Sequence, residues 1–367
     1  MAASSRRARS EVHGALSGAS FVRVAARADG DCLAAAGVLA GACEASGLPF
    51  QVSVVETPVE AERRFDGVDD GVCVAVGFDA GDASVRSDEA SSASASAFES
   101  ASALGAEPDA ALALAGAVAA GRPPEGAPLD AVDGDIDRRP GLCVPTADVA
   151  DGLAHSLRLH GDVSGDEAQA GALLAELALP AELDDSARRR LASRVALDVT
   201  ESPAGERAAT AIEAALRPHV LPDGPFATLE GYADVLDAVA ATAPGLGVAF
   251  VLGHGDTPAV LDAWRETARA VHGRLRREAP ARYSGCVTFD AADAPLRQTA
   301  RLVRDYRSRE PTAIAVGDDG AAVATHADDV DAHGVLADVV DVDVVAGTPA
   351  LAWTTEDVDA EAVRGAL

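Results

Sequence analysis

The sequence predicts an α/β protein in which a parallel-sheet domain is followed by a smaller α/β domain. Three observations predict this fold class. Strands and a helix alternate across residues 21–78, acidic turns follow two of these strands, and strands and helices alternate again after residue 225. Such alternation is typical of a parallel sheet, because parallel neighbours need a crossover connection.

The first domain opens with a strand, a helix and two further strands. Residues 21–26 are mostly apolar and predict a short buried strand, and the Ala- and Leu-rich residues 33–46 predict a helix that ends at Gly47. Residues 51–56 and 71–78 are rich in β-branched side chains, which favours strands. Acidic turns follow the first and third strands, at the edge where ligands bind in open α/β sheets.

Helical patterns fill the rest of this domain. They cover residues 110–120 and 147–216, with a break at 161–165, and a loop rich in Pro, Gly and Asp at 122–145 separates the two stretches. A turn at 222–225 predicts the domain boundary. We therefore predict a flexible tail at 1–20, the parallel-sheet domain at 21–222 and the smaller domain at 223–367.

The smaller domain is predicted to contain three helices and five strands. The helices are expected at 230–242, 257–278 and 296–306, and the strands at 247–252, 284–289, 312–316, 321–325 and 339–345.

The charge balance indicates a protein that folds in molar salt. The chain has 59 acidic residues against 30 basic ones, all of them arginine, and a net charge of -29. Salt screens charges to within ~3 Å at 1 M, so the carboxylates repel one another little under those conditions. An apolar fraction of 48% excludes a disordered acidic chain.

Scattered cysteines and short apolar runs exclude several classes of protein. None of the five cysteines forms a Cys-x-x-Cys pair, which excludes a zinc ribbon or a dithiol redox motif. No apolar run approaches the ~20 residues that a membrane span needs. We expect a cytoplasmic protein with reduced thiols, and no membrane partner.

The turn after the first strand is a candidate metal site. Asp29 and Asp31 stand two residues apart on a tight loop that opens a helix, so both carboxylates can face one hard cation such as Mg²⁺ or Mn²⁺. The alternative is structural, because aspartate at a helix start is a common N-cap. The spacing alone leaves both interpretations open.

These residues resemble the first motif of the DHH phosphoesterase superfamily, which includes the RecJ nucleases. That motif is His-x-Asp-x-Asp-Gly, and Asp29 and Asp31 stand at its two aspartates. Arg27 stands at the histidine and Cys32 at the glycine. The second motif, Asp-x-Gly at a strand end, matches Asp79-Ala80-Gly81. The resemblance implies that Asp29, Asp31 and Asp79 bind metal, with Mn or Mg as the ion.

Other motifs of the superfamily are missing. The Asp-His-His motif has no counterpart, since no histidine stands between residues 82 and 121, and the helix at 112–120 has alanine where the family has an acid. The DHH-associated C-terminal domain has a Gly-Gly-Gly-His-type loop, whereas residues 345–353 contain one glycine and no histidine. Segments at 151–156, 230–236 and 299–308 resemble archaeal RecJ-like proteins, so the resemblance runs along most of the chain.

A cluster of arginines near the end is a candidate nucleic-acid-binding surface. Residues 265–309 contain eleven arginines against five acidic residues. One helical face carries Arg297, Arg301 and Arg304, and Arg307 follows. A basic island on an acidic protein is typical of a phosphate-backbone contact. The alternative is a set of ion pairs with the chain's own acids.

Two functions follow from the resemblance. The first is a RecJ-like factor of DNA replication or repair that has lost catalysis and binds DNA or the replisome, since inactive relatives of RecJ act beside the helicase and the GINS complex. The second is a metal-dependent single-strand exonuclease or phosphoesterase with an altered ligand set. Single-stranded nucleic acid is an expected partner in both.

Overall fold

The structure is a computed structural model. It describes Val12 and residues 14–67, 71–86, 91–132, 136–179, 183–200, 206–221 and 224–367. The predicted tail at 1–20 falls mostly outside these residues, and the predicted boundary turn at 222–225 falls partly outside them.

Packing divides the chain into two compact units. The first unit contains residues 1–135 and 235–263, and the second contains 136–234 and 264–367. Both boundaries after residue 200 lie inside helices, because residues 234 and 263 are helical. The predicted domains 21–222 and 223–367 therefore differ from the packing units, and they remain a prediction about domains.

The first unit contains the predicted parallel sheet, with strand order β2-β1-β3-β4 and every pairing parallel. Its strands are β1 (Val22–Arg27), β2 (Phe50–Val55), β3 (Val72–Val76) and β4 (Ala83–Val85). Helices wholly within it are α1 (Gly30–Ala45), α2 (Pro58–Phe65), α3 (Ala93–Ala103), α4 (Ala110–Ala119), α5 (Ala127–Ala131) and α11 (Pro244–Val251).

Small side chains let helix α1 pack closely on several neighbours. Nearly all of its residues are buried, and α1 packs against α3, α4 and α11. A Cβ atom added at Gly37 would lie 2.7 Å from Cβ of Val251, so only glycine permits this approach. The small side chains of α1 thus let the helices of the first unit approach closely. Close approach makes the van der Waals contact in its core extensive.

The second unit is built on a mixed sheet with strand order β5-β6-β7-β8-β10-β9. Only β6 and β7 are parallel. The strands are β5 (Ala281–Arg282), β6 (Cys286–Ala292), β7 (Thr312–Gly317), β8 (Gly320–Thr325), β9 (Val345–Thr348) and β10 (Leu351–Thr354). One core cluster contains Ile314, Val323, Leu336 and Ala352, all fully buried.

Helices of the second unit come before, between and after the strands of this sheet in the chain. Those wholly within the unit are α6 (Val149–His155), α7 (Glu167–Glu176), α8 (Asp185–Thr200), α9 (Glu206–Ala215), α13 (Leu296–Leu302), α14 (Ala332–Ala337) and α15 (Ala360–Gly365). A π-helical turn, Val303–Arg307, follows α13, and the helices α10 (Leu229–Thr242) and α12 (Thr257–Arg277) contribute residues to both units.

Several local predictions were wrong. The strand predicted at 247–252 is helix α11, because a short apolar run has the same pattern in a buried strand and a buried helix. The strand predicted at 339–345 is mostly irregular, with a 3₁₀ turn at Val342–Val344 before β9 begins. The loop predicted at 122–145 contains the short helix α5, and the helix predicted at 296–306 ends as an α-helix at Leu302.

Within the part of the chain that the structure describes, no helix combines the length and the apolarity that crossing a bilayer requires. All five cysteines are buried and none is in a disulfide.

Candidate functional site

The candidate site lies at the carboxyl edge of the parallel sheet. Strands β1 and β3 are parallel neighbours in a register that pairs Ala26 with Val76. The residues that follow these two strands therefore emerge side by side, which places Arg27 next to Gly77. Asp29 comes two residues after Arg27 and is the N-cap of α1, since its Oδ1 accepts a hydrogen bond of 2.9 Å from the N–H of Cys32.

Arg27 fills the space between the ends of β1 and β3. Its side chain is 8% exposed; its Nε donates to Oδ2 of Asp29, and its Nη1 donates to the carbonyl oxygen of Gly77 at 3.1 Å. Burial by itself lowers the pKa of Arg27, but the negative charge of Asp29, its hydrogen bond and the further acidic groups nearby together raise the pKa. Burial raises the pKa of Asp29, but the charge of Arg27 together with the hydrogen bonds from Arg27 and Cys32 lowers it overall. The pair is therefore fully ionised.

Asp31 is committed to the start of helix α3. Its two carboxylate oxygens accept hydrogen bonds from the backbone N–H groups of Ala93 at 2.8 Å and Ser94 at 2.9 Å, and the residue is 2% exposed. The first N–H groups of a helix have no partner within the helix, so a carboxylate there satisfies them and interacts favourably with the helix dipole. Asp31 thus joins α1 to α3.

Asp79, unlike Asp29 and Asp31, is exposed to solvent. Its side chain is 77% exposed and forms an ion pair of 3.3 Å with Arg86. A fourth acid comes from a distant part of the chain, because Oδ1 of Asp237 accepts a hydrogen bond of 2.9 Å from the N–H of Gly30. Sequence reasoning missed Asp237, and no local signal marks it, since it stands 207 residues from its partner.

These side chains do not fit a divalent cation. Among the described residues, no group of three or more His, Cys, Asp or Glu side chains is arranged to hold a metal ion. Mg²⁺ and Mn²⁺ need several converging oxygens, whereas Asp29 and Asp31 already accept hydrogen bonds, and arginine cannot be a ligand. Burial raises the pKa of the Cys32 thiol well above its usual range, so the thiolate form that would bind metal is disfavoured.

Close packing around Gly77 leaves little room for rearrangement. A Cβ atom added at Gly77, which has a φ of +87°, would lie 2.6 Å from Sγ of Cys32 and 2.8 Å from Cβ of Arg27. Only glycine lets the backbone after β3 approach these two side chains. Arg27 therefore occupies a tight site bounded by Gly77 and Cys32.

The four candidate nucleic-acid-binding arginines make contacts within the second unit. Arg297 is largely buried with its guanidinium 4.3 Å from the ring centre of Trp353, and Nη2 of Arg301 donates to the carbonyl oxygen of Leu157 at 3.5 Å. Arg304 donates to both carboxylate oxygens of Asp305, at 2.7 and 3.1 Å. Arg307 donates to the carbonyl oxygens of Leu275 and Glu278. Arg304 therefore forms an ion pair with an acid of the same chain, as the alternative interpretation expected. Nucleic-acid binding by these four arginines stays a prediction.

Comparison with known sequences places the chain in a family. Residues 278–367 match the family described as "Uncharacterized protein rrnAC1427, C-terminal domain". The "Uncharacterized protein rrnAC1427" of Haloarcula marismortui is 42% identical over 326 residues, which cover 87% of this chain and 85% of the relative. The chain belongs to the rrnAC1427 family.

The fold of this rrnAC1427-family protein is a two-domain α/β fold like that of RecJ. It is similar to the crystal structure of the exonuclease RecJ bound to manganese, with a TM-score of 0.50 and 14% identity over 99% of this chain and 92% of the other. It is also similar to CDC45 from Entamoeba histolytica, with a TM-score of 0.54 and 9% identity over 99% and 98% of the two chains. At these identities the likeness concerns the fold alone.

Proposed function

We propose that this rrnAC1427-family protein is a RecJ-like factor of DNA replication or repair that has lost metal-dependent cleavage and binds DNA or a replisome-type partner such as the GINS complex. The observation that carries the proposal is the buried ion pair between Arg27 and Asp29. It supports a site whose carboxylates are held by the protein's own hydrogen bonds and in which Mn or Mg is absent.

The charge of Arg27 is the main argument against catalysis. Two-metal hydrolysis requires ions about 3.5–4 Å apart that are held by shared carboxylates. The permanent positive charge of Arg27 occupies the carboxylate of Asp29, so that carboxylate is not available as a ligand. The same charge repels a metal ion that approaches this position. Asp31 would have to release two backbone N–H groups of α3 before it could bind an ion, and each buried donor left without a partner costs about 1–3 kcal/mol.

The alternative function is a metal-dependent single-strand exonuclease or phosphoesterase. It is favoured by Asp29, Asp31 and Asp79, which all follow strands or begin a helix at one edge of the parallel sheet. It requires that Arg27 withdraw from Asp29 when metal binds. Asp79 is the acid best placed to test this, because it is exposed and its replacement disturbs no buried contact.

A cleavage assay separates the two functions. The full-length protein is incubated in 2 M KCl with an end-labelled single-stranded oligonucleotide and Mn²⁺ or Mg²⁺, beside the variant Asp79→Asn and the exposed control Asp66→Asn. We expect no cleavage by any of the three proteins. Cleavage by the wild type that disappears only in Asp79→Asn would establish the exonuclease and overturn our proposal.

A binding assay tests the remaining part of the proposal. Fluorescence anisotropy of a labelled twenty-residue oligothymidylate is measured from 0.5 to 2 M KCl with the same protein. We expect saturable binding that weakens as salt rises, because arginines that contact phosphates release counterions. If the protein neither binds this probe nor associates with purified GINS, it does not act as a DNA- or replisome-binding factor.

The composition supports two further proposals. A net charge of -29, with no lysine, supports a protein adapted to molar salt, and the 42% identical relative comes from Haloarcula marismortui. We also propose that the protein works in the cytoplasm, with its buried cysteines reduced.

A further inference from the structure

Helix α8 of the second unit has one buried face and one exposed face. Its N-cap is Asp184, whose Oδ1 accepts a hydrogen bond of 2.7 Å from the N–H of Ala187. Residues four apart form the buried stripe, which contains Ala187, Leu191 and Val195. This spacing is typical of an amphipathic helix that packs on one side only.

Beyond the exposed Asp185 in its first turn, the exposed face is basic. Arg189, Arg190 and Ser193 are all exposed on it, and we call these three residues the α8 arginine face. Residues 188–197 contain four arginines and no acid, although acids outnumber arginines about two to one in the whole chain. Residues 188–190 are the only run of three adjacent arginines in the sequence.

Exposure distinguishes the α8 arginine face from the arginines of α13 and the π-helical turn. The side chains of Arg297 and Arg304 are largely buried and have partners within the protein. In the described part of the chain, neither Arg189 nor Arg190 forms an ion pair or a side-chain hydrogen bond. Two guanidinium groups that remain in solvent on so acidic a protein are available to an external anion.

We infer that the α8 arginine face is the surface through which this protein contacts the phosphate backbone of single-stranded nucleic acid. This inference rests on the proposed function and assigns its binding site. The guanidinium group binds phosphate oxygens in a bidentate manner, and such directed contacts add to the screened electrostatic attraction that remains in molar salt. Arg189 and Ser193 stand one helical turn apart, about 6 Å along the axis, so they and Arg190 can hold neighbouring phosphate groups.

The chemistry of the face favours nucleic acid over an acidic protein. Protein interfaces have an apolar centre with charged residues depleted from it. The α8 arginine face has the opposite arrangement, with charge at its centre and the exposed Leu197 outside it, one turn beyond Ser193. It contains no aromatic side chain on which a base could stack, so we expect contact with the backbone and little dependence on base sequence.

A matched pair of double variants tests the inference. Arg189→Ser/Arg190→Ser removes the charge of the α8 arginine face, and Arg63→Ser/Arg64→Ser removes two exposed arginines from helix α2 of the other unit. Binding of the full-length proteins to labelled twenty-residue oligothymidylate is measured by anisotropy from 0.5 to 2 M KCl. Far-UV circular dichroism and the melting temperature verify that each variant is folded.

We expect the α8 variant to bind about tenfold more weakly at 0.5 M KCl and the α2 variant to bind within about twofold of the wild type. The slope of log K against log salt should fall by about 1.4 in the α8 variant, since each single-strand phosphate contact contributes about 0.7. Arg189→Lys/Arg190→Lys should recover part of the affinity, because it keeps the charge and loses the bidentate geometry.

The outcomes separate this inference from the proposed function. If the wild type binds and the α8 variant binds equally well, the α8 site is wrong and the proposed function stands. If the wild type does not bind the oligonucleotide, both nucleic-acid binding and the α8 site are wrong. A labelled twenty-residue polyglutamate is the last probe. If the α8 variant loses binding to polyglutamate but keeps binding to the oligonucleotide, the α8 arginine face is a docking site for an acidic protein and the inference is overturned.

Discussion

The guanidinium of Arg27 is held by the carboxylate of Asp29, two residues further along the chain, at the carboxyl edge of the parallel sheet. In the DHH motif that these residues resemble, the position of Arg27 is a histidine. Histidine can bind a metal ion and arginine cannot, so this one position changes the chemistry that the surrounding carboxylates can support. The pair also stabilises the turn, because it connects β1 to α1 and, through the carbonyl of Gly77, to the end of β3.

Removing Arg27 should destabilise the first unit. Arg27→Ala leaves the carboxylate of Asp29 largely buried without its cation, and breaking such a pair costs about 3–5 kcal/mol. Arg86→Ala removes the partner of the exposed Asp79 and should change the free energy of unfolding by less than about 1 kcal/mol. Guanidinium chloride unfolding of both variants measures the difference. Equal effects of the two substitutions would show that the Arg27–Asp29 pair contributes no more than a surface pair.

Gly30 and Gly41 provide a matched test within helix α1. A Cβ atom at Gly30 would lie 2.8 Å from Oδ1 of Asp237 and 2.9 Å from Cβ of Ala119, whereas one at the exposed Gly41 meets nothing within 4 Å. We expect Gly30→Ala to destabilise the protein by about 1–3 kcal/mol through overpacking. Gly41→Ala should stabilise it by up to about 1 kcal/mol, because alanine has the higher helix propensity. Thermal unfolding decides, and a neutral Gly30→Ala would mean that Asp237 does not approach α1 closely.

Manganese should leave the melting temperature unchanged. A ligand that binds only the folded state at 100 times its Kd raises the free energy of unfolding by about 2.7 kcal/mol. We expect 1 mM Mn²⁺ to produce no shift in the wild type or in Asp79→Asn, because the described carboxylates do not converge on one point. A shift of several degrees in the wild type that Asp79→Asn removes would show a metal site that includes Asp79.

A buried histidine pair should make the second unit sensitive to acid. The rings of His160 and His272 stack with their centres 5.3 Å apart and their Nδ1 atoms 3.1 Å apart. Burial, together with the positive charge of Arg276, lowers the pKa of His272 to about 4, and burial likewise lowers the pKa of His160 well below its usual value. Between pH 6.5 and 4 the unfolded chain therefore binds more protons than the folded chain, and stability falls as the pH falls.

The size of this effect is measurable. Each histidine contributes a slope of up to about 1.4 kcal/mol per pH unit within that window. We expect His272→Gln to flatten the dependence of the free energy of unfolding on pH between 6 and 4.5, while the exposed control His254→Gln keeps the wild-type slope. An unchanged slope in His272→Gln would mean that the pair does not titrate on unfolding. The slope is the informative quantity, since His272→Gln also alters the packing.

The parallel sheet could be predicted from the sequence because its signals are local. The strands at 21–26, 51–56 and 71–78, which are rich in valine, and the helix between the first two have patterns that neighbouring residues set by themselves. The error at 247–252 has the opposite cause. Its short apolar run carries no periodicity that separates a strand from a buried helix, and packing against α1 decides that it is helical.

For the candidate site, the sequence determined which residues stand in the turn after β1: two aspartates at their expected spacing, and an arginine in place of a histidine. Only the tertiary structure decided what those residues do. Asp31 meets the N-terminus of α3 and Asp237 meets Gly30 because helices distant in the chain pack against α1. Asp79 lies in solvent. Whether carboxylates converge on a metal or satisfy backbone donors depends on distances between elements, and residue spacing along the chain does not specify those distances.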